Sequence, residues 1–363
     1  MAPSGEPSGG TVHVNPYRLV GQVAEGDRFI GRAHLLRRVR ATWAEPGRPA
    51  NLRVLGHHRV GKTSLVRRAL GTAADRPDLT AVVINVGTCA SGDDMFRSMV
   101  RSVMEQLEDA PGVDGALAAI GSGVQMADGW YDLKEGVRAF FKAVRKAGRH
   151  VLLVLDEFDR AAGVAKPPDF QLLRDLASEP EFPLGLITIS RRPIEVIESA
   201  EAASQAGSIL GAVVINPLYV GMFTDEEADL MLARAASAGI GLASVRDEIV
   251  DRTGLHPFLL ELMCNRVVQA YAETGKVDVA ACYESEAIEF HAQFDRLIGN
   301  IDADTGGNGS ALLRRIAAGA PGIQPSADLS RLIQMGVVSR TPEGGLSLFS
   351  REFGRHVLTL GEG

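Results

Sequence analysis

Residues 51–71, NLRVLGHHRVGKTSLVRRALG, constrain this chain more than any other stretch. An apolar strand runs into a glycine-rich loop, and a helix opens directly out of that loop and stops at Gly71. Gly56, Gly61, Lys62 and Thr63 fill every fixed slot of the phosphate-binding loop pattern. Main-chain N–H groups converge on phosphate oxygens only where the loop takes conformations closed to residues with a Cβ, which accounts for glycine at 56 and 61. Lys62 then offers a point charge to the β and γ phosphates, Thr63 a hydroxyl to Mg²⁺, and the helix N-terminus its positive dipole end. Six of the 38 basic residues are lysines, so this slot is not filled by abundance.

Such a loop needs acids nearby to handle the metal and the attacking water. LLVLDEFDR, residues 152–160, supplies them: a buried strand ends in Asp156, placed to hold Mg²⁺, and Glu157, placed to polarise water for in-line attack. A third strand, ITISRRP, ends in Ser190, Arg191 and Arg192 at the same edge, and Arg191 is the better candidate to sense the γ-phosphate. Asp159 and Arg160 read as a helix start with a solvated arginine. His57 and His58 read as exposed loop residues.

Along the chain, YRLVGQV is expected to be extended, and FIGRAHLLRRVRATW to form a helix with Leu35, Leu36, Val39 and Trp43 on one face. AVVINV (81–86), HVLLVLD, LGLITIS (184–190) and ILGAVVIN (209–216) read as further strands, alternating with amphipathic helices. Met95, Met99 and Val103 are spaced as a core stripe, and residues 111–131, glycine-rich and nearly uncharged, carry no readable period. Several strands are apolar throughout, which predicts a parallel sheet covered on both faces. After Pro217 the pattern turns helical, with a Thr cap in TDEEADLMLARAASAG and a first-turn proline in HPFLLELMCNRVVQAYAETG. From about Ser285, three helices and two short strands joined by a Glu-Gly-Gly turn describe a winged helix.

The expected fold class is therefore α/β: a P-loop NTPase parallel sheet flanked by helices, then a helical lid and a winged-helix domain. The expected organisation is a disordered leader over 1–14, an ATPase domain over 15–217, a lid over 218–284 and a winged helix over 285–363. Composition bounds the rest. At 363 residues, 45% hydrophobic and 23% charged, the chain is ordinary globular material. No apolar run approaches the ~20 residues of a membrane helix, and a cytoplasmic protein is expected. Cys89, Cys264 and Cys282 lack metal-ligand spacing and read as buried thiols. A net charge of -7 argues against a general polyanion binder.

NPYRLVGQVAEGDRFIGR, GHHRVGKTSL, LLVLDEFDR, ITISRRP and TGLHPFLLEL, in that order, resemble the STAND group of P-loop ATPases, signal-transducing relatives of the AAA+ proteins, and most of all the bacterial and archaeal type. The likeness runs from about Asn15 to the C-terminus. It implies an adenine nucleotide, ATP or ADP, held with Mg²⁺. The base would lie by Val20, Gly21 and the run from Phe29 through Gly31 to Arg32, with Pro257 of the lid packing on it. The cofactor-binding set is completed by Gly56, Arg59, Gly61, Lys62, Thr63 and Ser64, the metal set is Thr63 and Asp156, and the catalytic set is Glu157, Arg191 and Lys62. Leu255 departs from the glycine of the family's lid motif. The resemblance further implies a slow ATPase switch that self-associates on ATP binding or drives a separate effector protein.

The competing reading is a DNA-engaging ATPase of the origin-recognition or transposition-loader type. The last fifty residues hold six arginines against four acids, but the would-be recognition helix, SADLSRLIQMG, carries only Arg331 and an opposing Asp328, so nucleic acid is not favoured. A guanine nucleotide is disfavoured because GKVD (275–278) lacks the first residue of the guanine-reading pattern and follows a helix.

Overall fold

The computed structural model describes residues 14–108, 115–199 and 209–360. The expected leader falls almost wholly outside them. The chain divides into two compact units, one of residues 23–221 and one that joins the segment ending at Gln22 to the segment beginning at Met222.

The first unit is built on five parallel strands: β1 (Leu52–Leu55), β2 (Leu79–Asn85), β3 (His150–Asp156), β4 (Leu184–Ser190) and β5 (Pro217–Tyr219), in the order β2-β3-β4-β1-β5. Its helices are α1 (Ala33–Arg40), α2 (Lys62–Leu70), α3 (Gly92–Leu107), α4 (Gly115–Met126), α5 (Gly129–Lys146), α6 (Ala161–Val164), α7 (Pro167–Ser178) and α8 (Ile194–Ser199). Alternation along the strands splits the core in two. Val151, Leu153 and Leu155 of β3 join a cluster with α3, α5 and α7, while Leu152 and Val154 join one with α1 and α2. Both faces of the sheet are therefore covered, and each fully buried Leu or Val contributes roughly 1.5–3 kcal/mol. The structure bears out the P-loop NTPase fold. The methionine stripe is core: Met95, Met99 and Val103 are fully buried.

Two expectations of local structure fail. ILGAVVIN is not a strand. Val213 and Val214 donate their N–H groups back to the Leu210 carbonyl, and Leu210 donates to Glu198 Oε1 at 2.6 Å, so the segment is held as a turn. The strand begins only at Pro217, which pairs with Arg53 at the sheet edge, where a residue without an N–H is tolerated. Nor is YRLVGQV extended: it is a run of turns, with Val20 N–H donating to the Tyr17 carbonyl and Gln22 N–H to that of Leu19. The unreadable stretch near residue 120 is helix α4, whose Gly121 lies so close to Met104 that a Cβ would overlap its sulfur.

The second unit holds α9 (Asp225–Ala233), α10 (Arg246–Thr253), α11 (Pro257–Thr274), α12 (Val279–Ser285), α13 (Ala287–Asp304), α14 (Gly309–Ala317) and α15 (Ala327–Gln334). The antiparallel pair β6 (Val338–Arg340) and β7 (Leu346–Leu348) follows, then α16 (Arg351–Thr359), a helix the sequence reading did not anticipate. Thr224 and Glu227 form a reciprocal capping box at α9, and Pro257 opens α11. Residues 15–22 belong to this unit because Tyr17 is fully buried in it, its hydroxyl donating to the Met231 carbonyl at 2.7 Å. Asn15 adds a bond to Asn265 Oδ1 at 2.8 Å.

Candidate functional site

Parallel pairing brings the C-terminal ends of four strands to one edge of the sheet. Leu55 lies opposite Ser190, and Asn85 opposite Asp156, so the loop after β1, the acids after β3 and the arginines after β4 share that edge.

The two loop glycines answer to different constraints. Gly61 has φ of 92°, where side chains are strained, and the space beside it is open. Gly56 has no positive φ; it is needed because a Cβ there would overlap the carbonyl oxygen of Val220. The expected conformational reason thus holds for Gly61 alone. Arg59 is also left-handed, with φ of 60°, and is exposed, as is His58. His57 is buried at 2% exposure, contrary to its expected place on the loop surface.

Lys62 begins α2 and folds its ammonium back over the loop, donating to the carbonyls of Gly56 at 2.8 Å and His57 at 2.7 Å. Burial lowers its pKa to about 8, against the opposing pull of Asp159 and Asp156, with Arg191 adding to the lowering. Thr63 donates its hydroxyl to Asp156, 3.0 Å from Oδ2 and 3.2 Å from Oδ1, and Oδ1 also accepts from Glu157 N–H at 2.9 Å. Among the described residues no group of three or more His, Cys, Asp or Glu is gathered for a metal. One carboxylate and one hydroxyl in contact are two hard oxygen donors, which fits Mg²⁺ completing its shell with phosphate and water.

Ser64 is turned differently from the other loop residues: its hydroxyl accepts from Ala24 N–H at 2.9 Å and ties the entering chain to α2. Gly31 and Arg32 are both left-handed, at φ of 59°, and Arg32 donates to the Gly221 carbonyl at 2.8 Å. Phe29 packs partly against the cluster that includes Val60 and Leu65. Val20, Gly21 and Pro257 belong to the second unit, where Gly21 borders the ring of Phe258, the residue after Pro257. The left-handed glycine beside Leu255 is Gly254, with φ of 58°, pressed against the Phe349 carbonyl oxygen.

Glu157 leaves β3 in the left-handed region, φ 52°, and is exposed. Its carboxylate lies over Gly87, just beyond β2, where a Cβ would overlap Oε2. Two residues on, Asp159 is not the idle helix start that the sequence suggested. Its Oδ2 accepts from the Arg191 N–H at 2.6 Å, and its Oδ1 from the Arg192 N–H and Nε, each at 3.1 Å. Burial would raise this carboxyl, but the main-chain donors of Arg191 and Arg192 and the Arg192 side chain outweigh it and hold the pKa below its ordinary value. The acid three residues after Asp156 was the available signal, but nothing in the sequence names its partners.

The fold is that of a P-loop NTPase. Residues 28–189 match the family model described as the AAA ATPase domain. Over the whole chain the fold is similar to that of a Walker-type ATPase of Pyrococcus abyssi, at 12% identity and a TM-score of 0.58, covering 92% of this chain and 97% of that one. It is also similar to the ORC2 protein of Aeropyrum pernix. The ADPNP–ADP complexes of that protein give 13% identity and a TM-score of 0.51, covering 90% and 93%; its ADP form gives 13% and 0.52, covering 91% and 94%. No curated protein matches the sequence. No helix among the described residues is long and apolar enough to cross a membrane.

Proposed function

We propose that this chain is an AAA+-related ATPase of STAND type, which binds ATP with Mg²⁺, hydrolyses it slowly and uses the nucleotide state as a switch. The observation that carries the reading is the Thr63–Asp156 hydrogen bond, because it joins the phosphate loop to the acidic strand end at the point where a metal-bound triphosphate needs both. The main-chain amides of 56–63 and the Lys62 ammonium grip the phosphate tail, Lys62 exchanging loop carbonyls for phosphate oxygens. Thr63 and Asp156 would hold Mg²⁺, which neutralises charge on the phosphates. Glu157 takes the proton of the attacking water, and Arg191 meets charge on the γ-phosphate. Assignment of Val20, Gly21, Phe29, Gly31, Arg32, Arg59, Ser64 and Pro257 to nucleotide binding follows the family likeness.

The switch itself follows from the same likeness, with the region after Ser285 as a winged helix and the output as self-association or engagement of a separate effector. Helices α13 to α15 followed by the β6–β7 pair support the winged-helix reading. ADP and ADPNP in the Aeropyrum pernix structures support an adenine nucleotide. A nucleotide drives a switch only if it binds the two states unequally.

Calorimetry with ATP and ADP plus Mg²⁺ tests the reading. Saturable binding that Lys62→Ala abolishes is expected, and no heat with either nucleotide refutes it. Glu157→Gln is expected to retain ATP and turn it over at least ~100-fold more slowly. The second reading is the alternative weighed from the sequence, an ATPase that engages DNA, and an ATPase unit followed in the chain by helices α13 to α15 and the β6–β7 pair is compatible with it. That reading requires duplex binding that falls steeply between low and moderate salt.

A further inference from the structure

The turn after β3 sends an acid to each neighbouring strand. In the sheet order β3 lies between β2 and β4, and the left-handed Glu157 reverses the chain immediately beyond β3. Glu157 itself is directed to the β2 side, over Gly87. Asp159 is directed to the β4 side, where its two oxygens take the N–H groups of Arg191 and Arg192 and the Arg192 Nε, while Arg192 Nη2 donates to the Asp159 carbonyl at 3.0 Å. The turn that carries both acids is anchored in the core and closed by a hydrogen bond. Phe158 between them is fully buried and meets Phe170 edge-on at 6.4 Å, and Arg160 N–H closes onto the Glu157 carbonyl at 2.9 Å. The β4 side is braced as well, by Ser190 Oγ donating to the Arg192 carbonyl at 2.7 Å.

We propose that Asp159 is the positioning residue for Arg191: it ties the turn after β4 to the turn that bears Glu157, so that the γ-phosphate sensor and the water-polarising acid move as one body. This rests on the ATPase reading given above and adds to it a residue that touches no substrate. Two acceptor oxygens are required, because three N–H donors face the one carboxylate. An asparagine of the same shape has one acceptor, and its amide NH₂ would meet donors instead of accepting from them. The electrostatics agree with the geometry: of the charges that sustain the Lys62 ammonium, Asp159 has the largest effect, and Arg191 acts on Lys62 in the opposite sense, so all three lie within reach of one another's fields.

The test is the preference between ATP and ADP, measured as the ratio of their dissociation constants by calorimetry on the full chain with Mg²⁺, with no turnover required. Arg191→Ala is expected to shift the ratio about tenfold against ATP, and Asp159→Asn at least about threefold in the same direction with ADP affinity unchanged. The double variant is expected to be no worse than Arg191→Ala alone, as two residues acting through one group require. An Asp159→Asn protein with the wild-type ratio, or one that loses ATP and ADP equally, overturns the proposal and leaves the ATPase reading standing. Additive effects in the double variant overturn it too, as does an Arg191→Ala protein with an unshifted ratio. A wild-type chain that binds neither nucleotide removes the ATPase reading and this inference with it. Should Asp159→Asn not fold, Asp159→Glu keeps both acceptors but displaces them by one methylene, and the same shift of ratio is required of it.

Discussion

The carboxylate of Glu157 occupies the space that a side chain at Gly87 would fill. The acid proposed to polarise water is thus packed against the end of a neighbouring strand, and the absence of a Cβ there is what lets it lie so close. Gly87→Ala should leave the fold intact, since the groups that have to give way are side-chain ends, the Glu157 carboxylate and, by a few tenths of an ångström, the Asn85 Oδ1 that accepts the Gly87 N–H. It should displace the carboxylate and slow ATP turnover by about tenfold or more, with ATP affinity nearly unchanged. Steady-state kinetics beside calorimetry check this; unchanged turnover would mean that Glu157 works from another rotamer.

Lys62 implies a pH dependence of binding. Without nucleotide its pKa stands at about 8, and phosphate needs the ammonium form. Well below that value the charge is already present, so affinity is flat. Above it, binding must take up a proton, and affinity falls as pH rises, at most about tenfold per pH unit until the pKa of the bound state is reached. Titrations at about pH 6.5 and about pH 9 in buffers of different ionisation enthalpy should show proton uptake rising from near zero towards one. Lys62→Arg, charged throughout, should lose that rise.

The Thr63–Asp156 pair predicts where metal dependence resides. Asp156→Asn should reduce the gain in ATP affinity on adding Mg²⁺ by about tenfold while sparing metal-free ATP binding, because the loop amides and Lys62 are untouched. An equal loss with and without Mg²⁺ would assign Asp156 to the loop's structure alone.

Gly254 gives a prediction for the second unit. Its φ of 58° with ψ of -156° is a glycine conformation, and a Cβ would overlap the Phe349 carbonyl oxygen. Gly254→Ala should destabilise this unit by about 2–4 kcal/mol, combining backbone strain with overpacking. Denaturant unfolding should show an earlier transition in the variant, while Gly275→Ala, also left-handed but with open space beside it, should cost less.

Contiguous residues were sufficient to place the glycine loop after β1, the acidic end of β3 and the helix that follows the loop, because each depends on spacings of a few residues along one loop, strand or helix. The buried methionine stripe of α3 and the Thr224 cap of α9 were legible for the same reason. What lay across strands was not. Gly56 is required by Val220, Gly87 by Glu157, and Asp159 binds the turn at Arg191, pairs 164, 70 and 32 positions apart that meet only once the strands take the order β2-β3-β4-β1-β5. ILGAVVIN failed as a strand because the Glu198 carboxylate and a return to the Leu210 carbonyl claimed its N–H groups, and a local apolar run cannot report such competitors. Short-range chemistry is written in neighbouring letters, whereas the partner of a buried backbone or carboxylate group is chosen by which segments the whole core brings side by side.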